Sequence, residues 1–225
     1  MAVLGNRSAG REITQDGKPL YRVNLSNVDL RGLEREVGLT EDGIPRRSNF
    51  RFANLTGADL RGAGLENFDL LGASLDDANM SGVNLQDTDL RQAFLGSAIL
   101  TDARLGAADM TGADLGGANL HGAHLSRAEE TNETSEADSS AILTGASLIG
   151  ANLSNADLRG VVLTKADLTD ADLTGADLRS ADLTDADLSN ADLTGAKLSG
   201  VKLSGAIVEG ARGLPPASPN TRANR

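Results

Sequence analysis

The chain has 225 residues, of which 40% are hydrophobic, but only 2% are aromatic and none is Cys. The formal net charge of −11 argues against direct binding to nucleic acid, whose phosphates are held mainly by Lys and Arg, and permits binding to a basic protein surface. The absence of Cys excludes disulfides and thiolate metal sites. Neither a signal peptide nor an apolar run of about 20 residues is present, so we expect a cytoplasmic protein without a membrane span.

The N-terminal part of the chain precedes the regular pattern. Residues 1–22 contain no repeat and are predicted to form an N-terminal cap, and two five-residue repeats, VNLSN and VDLRG, occupy 23–32. The insertion that follows, 33–47, is predicted to be a loop that covers the open end of the first coil. Because Leu30 and Phe50 are 20 residues apart, we expect the insertion to keep both in the same register.

A five-residue repeat dominates the rest of the chain. Fifteen units run from ANLTG at 53–57 to AHLSR at 123–127, and fourteen more run from AILTG at 141–145 to AIVEG at 206–210. Over these 29 units the central residue is Leu in 26, and the residue two before it is Ala in 24. The residue two after the centre is Gly, Asn, Asp or Ser in 25 units.

A period of five residues fits neither a helix nor a flat strand. Five residues turn about 500° on an α-helix, so successive Leu would drift around it, and an odd period on a strand would send them to alternate faces. The pattern is consistent if the chain turns a corner in every unit. Ala and Leu then point inward from a short extended segment, and Gly, Asn and Asp form the corner.

This repeat resembles the pentapeptide-repeat family, whose consensus is A(D/N)LXX. The resemblance implies an all-β fold, a right-handed quadrilateral β-helix with four pentapeptides per turn. Residues 20 apart would then stack at about 4.8 Å, which gives a rod roughly 36 Å long with two loop insertions.

The second insertion, 128–140, and the tail, 211–225, lie outside the repeat. The insertion has thirteen residues, which break the phase, so we expect it to bulge out as a solvated linker or as a functional loop. It carries five acids and no base, namely Glu129, Glu130, Glu133, Glu136 and Asp138, and the four Glu residues are a candidate partner surface. The Pro-rich tail is predicted to be flexible.

No residue pattern predicts catalysis or a bound cofactor. His121 and His124 lack neighbouring Cys or organised carboxylates, so a metal site is not expected there. The repeated Ser and Thr residues have no adjacent base that would make one of them a nucleophile. The sequence therefore predicts a non-enzymatic protein with neither a metal nor a cofactor.

An acidic run in the second array is the main candidate surface. Between 156 and 195 the residue before the central Leu is Asp in seven units. The candidate residues are Asp157, Asp167, Asp172, Asp177, Asp182, Asp187 and Asp192. In the implied register Lys197 would lie next to Asp177, and Lys202 next to Asp182. These Asp residues are interpreted either as a binding surface or as repeat consensus that bonds to nearby backbone.

Two functions are open from the sequence. Pentapeptide-repeat proteins that confer quinolone resistance are acidic rods that bind DNA gyrase in place of duplex DNA, and this chain is similar in being an acidic rod with two loops. It departs from them in its Leu rather than Phe centre, and no C-terminal dimerisation helix is evident. The alternative is a structural or protein-interaction scaffold with no topoisomerase role. The sequence predicts no oligomeric state.

Overall fold

Short parallel pairings build the fold. The computed structural model describes residues 25–31, 49–126 and 140–214, and within these ranges there is neither a helix nor a strand longer than a single bridge. Instead, isolated parallel β-bridges join residues 20 positions apart, as between Asp167 and Asp187. The backbone is therefore a coil that completes one turn every four five-residue units.

Each unit is a short extended segment followed by a corner. At Leu173 the backbone N–H donates to the Asp192 carbonyl at 2.8 Å, and the Asp192 N–H donates to the Ala171 carbonyl at 2.9 Å. The N–H of Ala176 closes the corner on the Leu173 carbonyl at 3.1 Å. The corner residue two after the centre has a positive φ throughout the array, and fifteen of these residues are not Gly. This explains the Gly, Asn, Asp and Ser at that position, because these residues tolerate left-handed backbone.

Ala and the central Leu form the core, as their inward orientation requires. The central Leu residues from Leu55 to Leu193 are at most 3% exposed, and the Ala positions beside them are buried as well. Thr88 replaces one core Ala, and its hydroxyl donates to the Leu65 carbonyl at 2.8 Å. The inward assignment made from the sequence is confirmed.

The outward residue just before each central residue falls into one of four columns, which define faces 1 to 4 of the coil. Face 1 runs through Asn49, Asp69, Asp89, Asp109, Ile142, Val162, Asp182 and Lys202. Face 2 runs through Asn54, Ser74, Phe94, Asp114, Ser147, Asp167, Asp187 and Ile207. Face 3 runs through Asp29, Asp59, Asn79, Ile99, Asn119, Asn152, Asp172, Asp192 and Arg212. Face 4 runs through Gly64, Asn84, Arg104, His124, Asp157, Asp177 and Lys197.

The first interruption changes the expected register. Asp29 bridges Asp59, 30 residues away, whereas Asn49 bridges Asp69. Leu30 therefore shares a column with Leu60 and not with Phe50, and the expectation that Leu30 and Phe50 keep one register is wrong. Because 30 and 20 are both multiples of five, the phase of the repeat allows either pairing, and backbone pairing decides between them. The insertion itself, 33–47, and the predicted cap at 1–22 lie outside the described residues.

The second interruption adds thirteen residues to one turn. Across it the bridges join residues 33 apart, as between Asp114 and Ser147, and the offset of 20 then resumes. The Ala141 N–H donates to the Leu125 carbonyl at 2.9 Å, which is the corner bond that a regular unit makes to the next one. The coil is thus closed at the point where residues 128–140 are inserted.

The coil continues past Gly210, where the sequence placed the start of the tail. Arg212 bridges Asp192, and the Leu193 N–H donates to its carbonyl at 2.9 Å. Residues 211–214 therefore belong to the last turn. The Leu and Val side chains of this turn, such as Leu198 and Leu203, are only half-buried, because no further turn covers them within the described residues.

Candidate functional site

The seven candidate Asp residues share one local role in the backbone. In each, the Oδ1 atom accepts a hydrogen bond from the backbone N–H two residues later, at 2.9 to 3.3 Å. Asn54 and Asn152 make the same bond in their own units, at 3.1 and 3.0 Å. One carboxylate oxygen thus supports the corner. The other oxygen pairs with a base in Asp157, Asp177, Asp182 and Asp192.

The coil distributes these seven Asp residues over all four faces. Asp157 and Asp177 lie on face 4, Asp182 lies on face 1, and the other four lie in pairs on faces 2 and 3. The stacked pairs expected from the sequence are confirmed, namely Asp157 with Asp177, Asp167 with Asp187, and Asp172 with Asp192. The seven together do not form one continuous surface, because residues five apart in sequence lie on different faces.

Bases neutralise several of these carboxylates. The guanidinium groups of Arg159 and Arg179 each lie 2.7 Å from the Asp two residues before them. Lys197 lies 3.4 Å from Asp177, as the register predicted, and the Arg179 hydrogen bond is the main cause that lowers the Asp177 pKa to about 2. Asp177 is therefore the centre of a small ion-pair network on face 4.

Bases in the last turn pair with carboxylates on three of the four faces, and face 2 is the exception. Lys202 lies 3.1 Å from Asp182 at the end of face 1, and Arg212 lies 3.7 Å from Asp192 at the end of face 3. Hydrogen bonds from Thr side chains are the main cause that lowers the pKa of both of these carboxyls. Face 2 ends instead in Ile207, so Asp187 meets no cation there.

Face 2 carries acids without bases along its whole described length. Its units from 53–57 to 206–210 contain no Lys or Arg. Within the described chain no ion pair joins their carboxylates to a base. Asp77, Asp114, Asp170 and Glu209 are exposed, and the other three acids are half-buried. The carboxylates of face 2 are Asp76, Asp77, Asp114, Asp167, Asp170, Asp187 and Glu209.

The other three faces mix acids with bases. These bases are Arg51, Arg91, Lys165 and Lys202 on face 1, Arg31, Arg61 and Arg212 on face 3, and Arg104, Arg159, Arg179 and Lys197 on face 4. Grouping the residues by nearness in sequence missed face 2, because its acids come from separate units. Sorting positions in steps of 20, and of 33 across the second insertion, would have found it.

Exposed apolar side chains also occur on face 2. Phe94 is 50% exposed and Ile149 is 45% exposed, and between them lie Gly96 and Gly116, which have no side chain to cover the surface. Ile99, at 38% exposure, lies in the same turn as Phe94 but on face 3. Face 2 therefore combines unneutralised carboxylates with apolar contact points.

The remaining candidates give no additional site. Glu129, Glu130, Glu133 and Glu136 lie outside the described residues, and so does Asp138. His121 and His124 are exposed, and His121 Nδ1 lies 2.8 Å from the Ser154 hydroxyl. No cluster of potential metal ligands occurs among the residues that the structure describes. In the same part of the chain, no helix has the length and apolar character needed to cross a membrane.

Comparisons with known proteins agree with this architecture. The family model described as pentapeptide repeats (8 copies) matches residues 46–67, 62–96, 98–129, 141–179 and 171–210. A trypsin-treated variant of QnrB1, a plasmid-mediated fluoroquinolone resistance protein, is 19% identical with a TM-score of 0.58, covering 85% of this chain and 89% of QnrB1. Full-length QnrB1 is 18% identical with a TM-score of 0.57, covering 85% and 92%.

A further solved structure has higher sequence identity. HetL, from the cyanobacterium Nostoc and described as involved in heterocyst differentiation regulation, is 32% identical over 84% of this chain and 89% of HetL, with a TM-score of 0.23. No curated protein matches the chain. The family model covers well over half of the sequence and coincides with the units that build the coil. The chain therefore belongs to the pentapeptide-repeat family.

Proposed function

We propose that this chain is a non-enzymatic binding protein, a right-handed quadrilateral β-helix that presents an acidic face to a basic surface of a partner protein. The observation that carries this proposal is the charge asymmetry of the coil, in which face 2 has seven carboxylates and no base while the other faces mix both signs. Such a face steers a basic partner and repels nucleic acid, so the expected ligand is a protein. A cytoplasmic location is part of this proposal.

A type II topoisomerase, DNA gyrase, is the most specific candidate partner. Its support is the resemblance to quinolone-resistance members of the family and the shared fold with QnrB1, which is itself described as a fluoroquinolone resistance protein. In this proposal the carboxylates of face 2 take the place of DNA phosphates in a basic groove. Asp172 of face 3, which forms no ion pair within the described chain, adds to this charge at the neighbouring edge.

The experiment compares two sets of substitutions with equal charge. Asp114→Asn, Asp167→Asn and Asp187→Asn remove three carboxylates of face 2. Asp69→Asn, Asp109→Asn and Asp182→Asn remove three at the equivalent positions of face 1. Both sets should fold, because Asn elsewhere makes the same corner hydrogen bond as Asp, for example at Asn54 and Asn152.

Binding to purified gyrase and inhibition of supercoiling are measured from 0.05 to 0.5 M salt. The face 2 set should weaken binding by about tenfold or more and flatten its salt dependence, whereas the face 1 set should have a much smaller effect. If the parent protein neither binds nor inhibits gyrase at low salt, the topoisomerase proposal fails. The alternative, a scaffold without a topoisomerase role, would then be preferred.

A further inference from the structure

We propose that face 2 docks a basic amphipathic helix of the partner protein, which lies along the rod axis with its apolar side chains on Phe94 and Ile149. The inference rests on the proposed function only in taking face 2 as a protein-binding surface, and it does not depend on gyrase. It is derived from the spacing of the apolar side chains, the open surface between them and the charges around them.

The spacing of the two apolar side chains matches a helix. Ile149 lies two turns of the coil beyond Phe94 on the same face, since the unit at 113–117 separates their units. At the usual distance between neighbouring strands, two turns correspond to about 9.6 Å along the rod axis. Ile149 is also displaced across the face, by about 6–7 Å, because it is the fourth residue of its unit whereas Phe94 is the second of its own. Residues i and i+7 of an α-helix are on one side and about 10.5 Å apart. Because a helix with its side chains is about 10–12 Å wide, one that lies parallel to the rod covers both columns and can place one apolar residue near each of the two side chains.

The surface between these side chains is open. The position after the central Leu on face 2 is occupied by Gly96 and Gly116 in the two units that precede Ile149. A Cβ built on Gly96 would lie 3.0 Å from Asp76 Oδ1, and one built on Gly116 would lie 3.2 Å from Asp114 Oδ1, so a carboxylate borders each of the two positions. The N–H groups of Gly96 and Gly116 already donate to these carboxylates, both at 3.0 Å. A partner therefore meets a low surface lined by carboxylate oxygens, with no side chain at either Gly position in its way.

Neighbouring units show that the two apolar residues are not required by the fold. The column of Phe94 also contains Ser74 and Ser147. The position of Ile149 is taken by Thr56 and Thr169 in other units of face 2. The fold therefore accepts polar residues at both positions. The exposed apolar area of Phe94 and Ile149 on this acidic face is available for contact with a partner.

The charges of face 2 determine the chemistry of the partner. Asp76 and Asp77 lie one turn before Phe94, Asp114 lies between the two apolar residues, and four more acids follow Ile149 up to Glu209. From Asp76 to Glu209 the acids span six turns, about 29 Å, which equals a helix of about 19 residues. A helix with an apolar stripe between Lys or Arg residues is complementary both to the apolar side chains and to the carboxylates of face 2.

The test uses two synthetic peptides as probes, with the full-length protein. One is a 19-residue helical peptide with Leu along one stripe and Lys on both sides, and the other is a scrambled peptide of the same composition without the stripe. The variant Phe94→Ser with Ile149→Thr removes both apolar contacts, using residues that face 2 already contains. Ile99→Asn is the matched control, since it removes an exposed apolar side chain of the same turn on face 3, where Asn79 and Asn119 are the neighbours.

Affinities are measured by fluorescence anisotropy at 0.05 and 0.3 M salt, after melting curves show that each variant is folded. The double variant should bind the striped peptide about tenfold more weakly than the parent, with the scrambled peptide unaffected. Ile99→Asn should stay within about twofold of the parent. Replacing Asp114, Asp167 and Asp187 by Asn should weaken binding of both peptides and reduce its salt dependence.

Two results would overturn the inference. One is an equal affinity of the parent and the double variant for the striped peptide. The other is an equal loss of affinity in the double variant and in Ile99→Asn, which would mean that exposed apolar residues act without regard to face. The peptide assay contains no topoisomerase, so a negative gyrase assay does not contradict the helix-docking inference. Conversely, a negative peptide assay contradicts that inference but does not decide whether the protein binds gyrase.

Discussion

Truncation of one central Leu tests the coil most directly. Leu173 is 0% exposed and is stacked between Leu153 and Leu193, one turn away on each side. The bridge bonds that fix its neighbours, such as the 2.8 Å bond from its own N–H to the Asp192 carbonyl, restrict collapse around the cavity that Leu173→Ala would leave. A cavity that cannot close costs about 2–5 kcal/mol in the free energy of unfolding.

The same substitution in the last turn should cost less. Leu198 is half-buried, and within the described residues it contacts a turn on one side only, so about half of the burial is present and Leu198→Ala should cost about 1–2 kcal/mol. Thr174→Ala changes an outward side chain and should stay within about 0.5 kcal/mol of the parent.

Equilibrium urea unfolding, followed by circular dichroism, gives the three free energies of unfolding, and comparable m-values show that the variants unfold from similar states. Hydrogen exchange then shows whether the loss of protection is confined to turns next to Leu173, as expected for a coil in which each turn contacts only its neighbours. Equal costs for Leu173→Ala and Thr174→Ala would refute the assignment of inward and outward positions.

Three further outcomes are expected. Gly213→Ala should lower Tm more than Gly150→Ala, because both residues have a positive φ but only at Gly213 would the new Cβ overlap the Leu193 carbonyl group. Asp177→Asn should lower Tm at pH 6, and this effect should disappear between about pH 4 and pH 2. The reason is that the lowered pKa of Asp177 stabilises the fold fully only above the pKa of the unfolded state, and this stabilisation is lost as the pH falls through the pKa of the folded state. A difference in Tm that is unchanged at pH 2 would contradict this. Deletion of residues 128–140 should shift Tm by only a few degrees, and loss of cooperative unfolding would show that these residues support the coil.

Much of the architecture could be predicted from the sequence, because a strict period converts residue number into position. The inward Leu and Ala, the stacked pair Asp167 and Asp187, and the contacts of Lys197 and Lys202 with carboxylates one turn earlier all follow from a period of five and a turn of 20 residues. Family resemblance supplied the number of units per turn, which periodicity alone does not give.

The register of the first repeats could not be predicted in this way. The insertion has fifteen residues, a multiple of five, so the five-residue phase is the same on both sides of it. This phase does not show how many units the insertion adds to the turn that contains it. Pairing of Asp29 with Asp59 shows that ten more residues than a regular turn lie between the two. A length argument cannot distinguish these cases, because both bury the same Leu positions, and only the backbone hydrogen bonds differ.

The candidate surface was harder to predict than the fold, for a geometric reason. Asp167 and Asp172 are neighbours in the sequence pattern but belong to different faces, whereas Asp114 and Asp167 belong to one face although 53 residues separate them. The thirteen residues of the second insertion hide this relationship, since Asp114 must first be matched to Ser147 across an offset of 33. Charge counted along the sequence therefore averages over four faces.

Charge counted by face gives a different conclusion about binding. On faces 1, 3 and 4 most of the bases lie within reach of the carboxylates, as Arg179 and Lys197 do at Asp177, so these faces attract an external cation weakly. Face 2 ends in Ile207 and has no base along its described units, so its field is not cancelled locally. In the proposed interaction, a basic partner is therefore oriented toward face 2 before any contact forms, and Phe94 and Ile149 are the apolar groups that it would meet there.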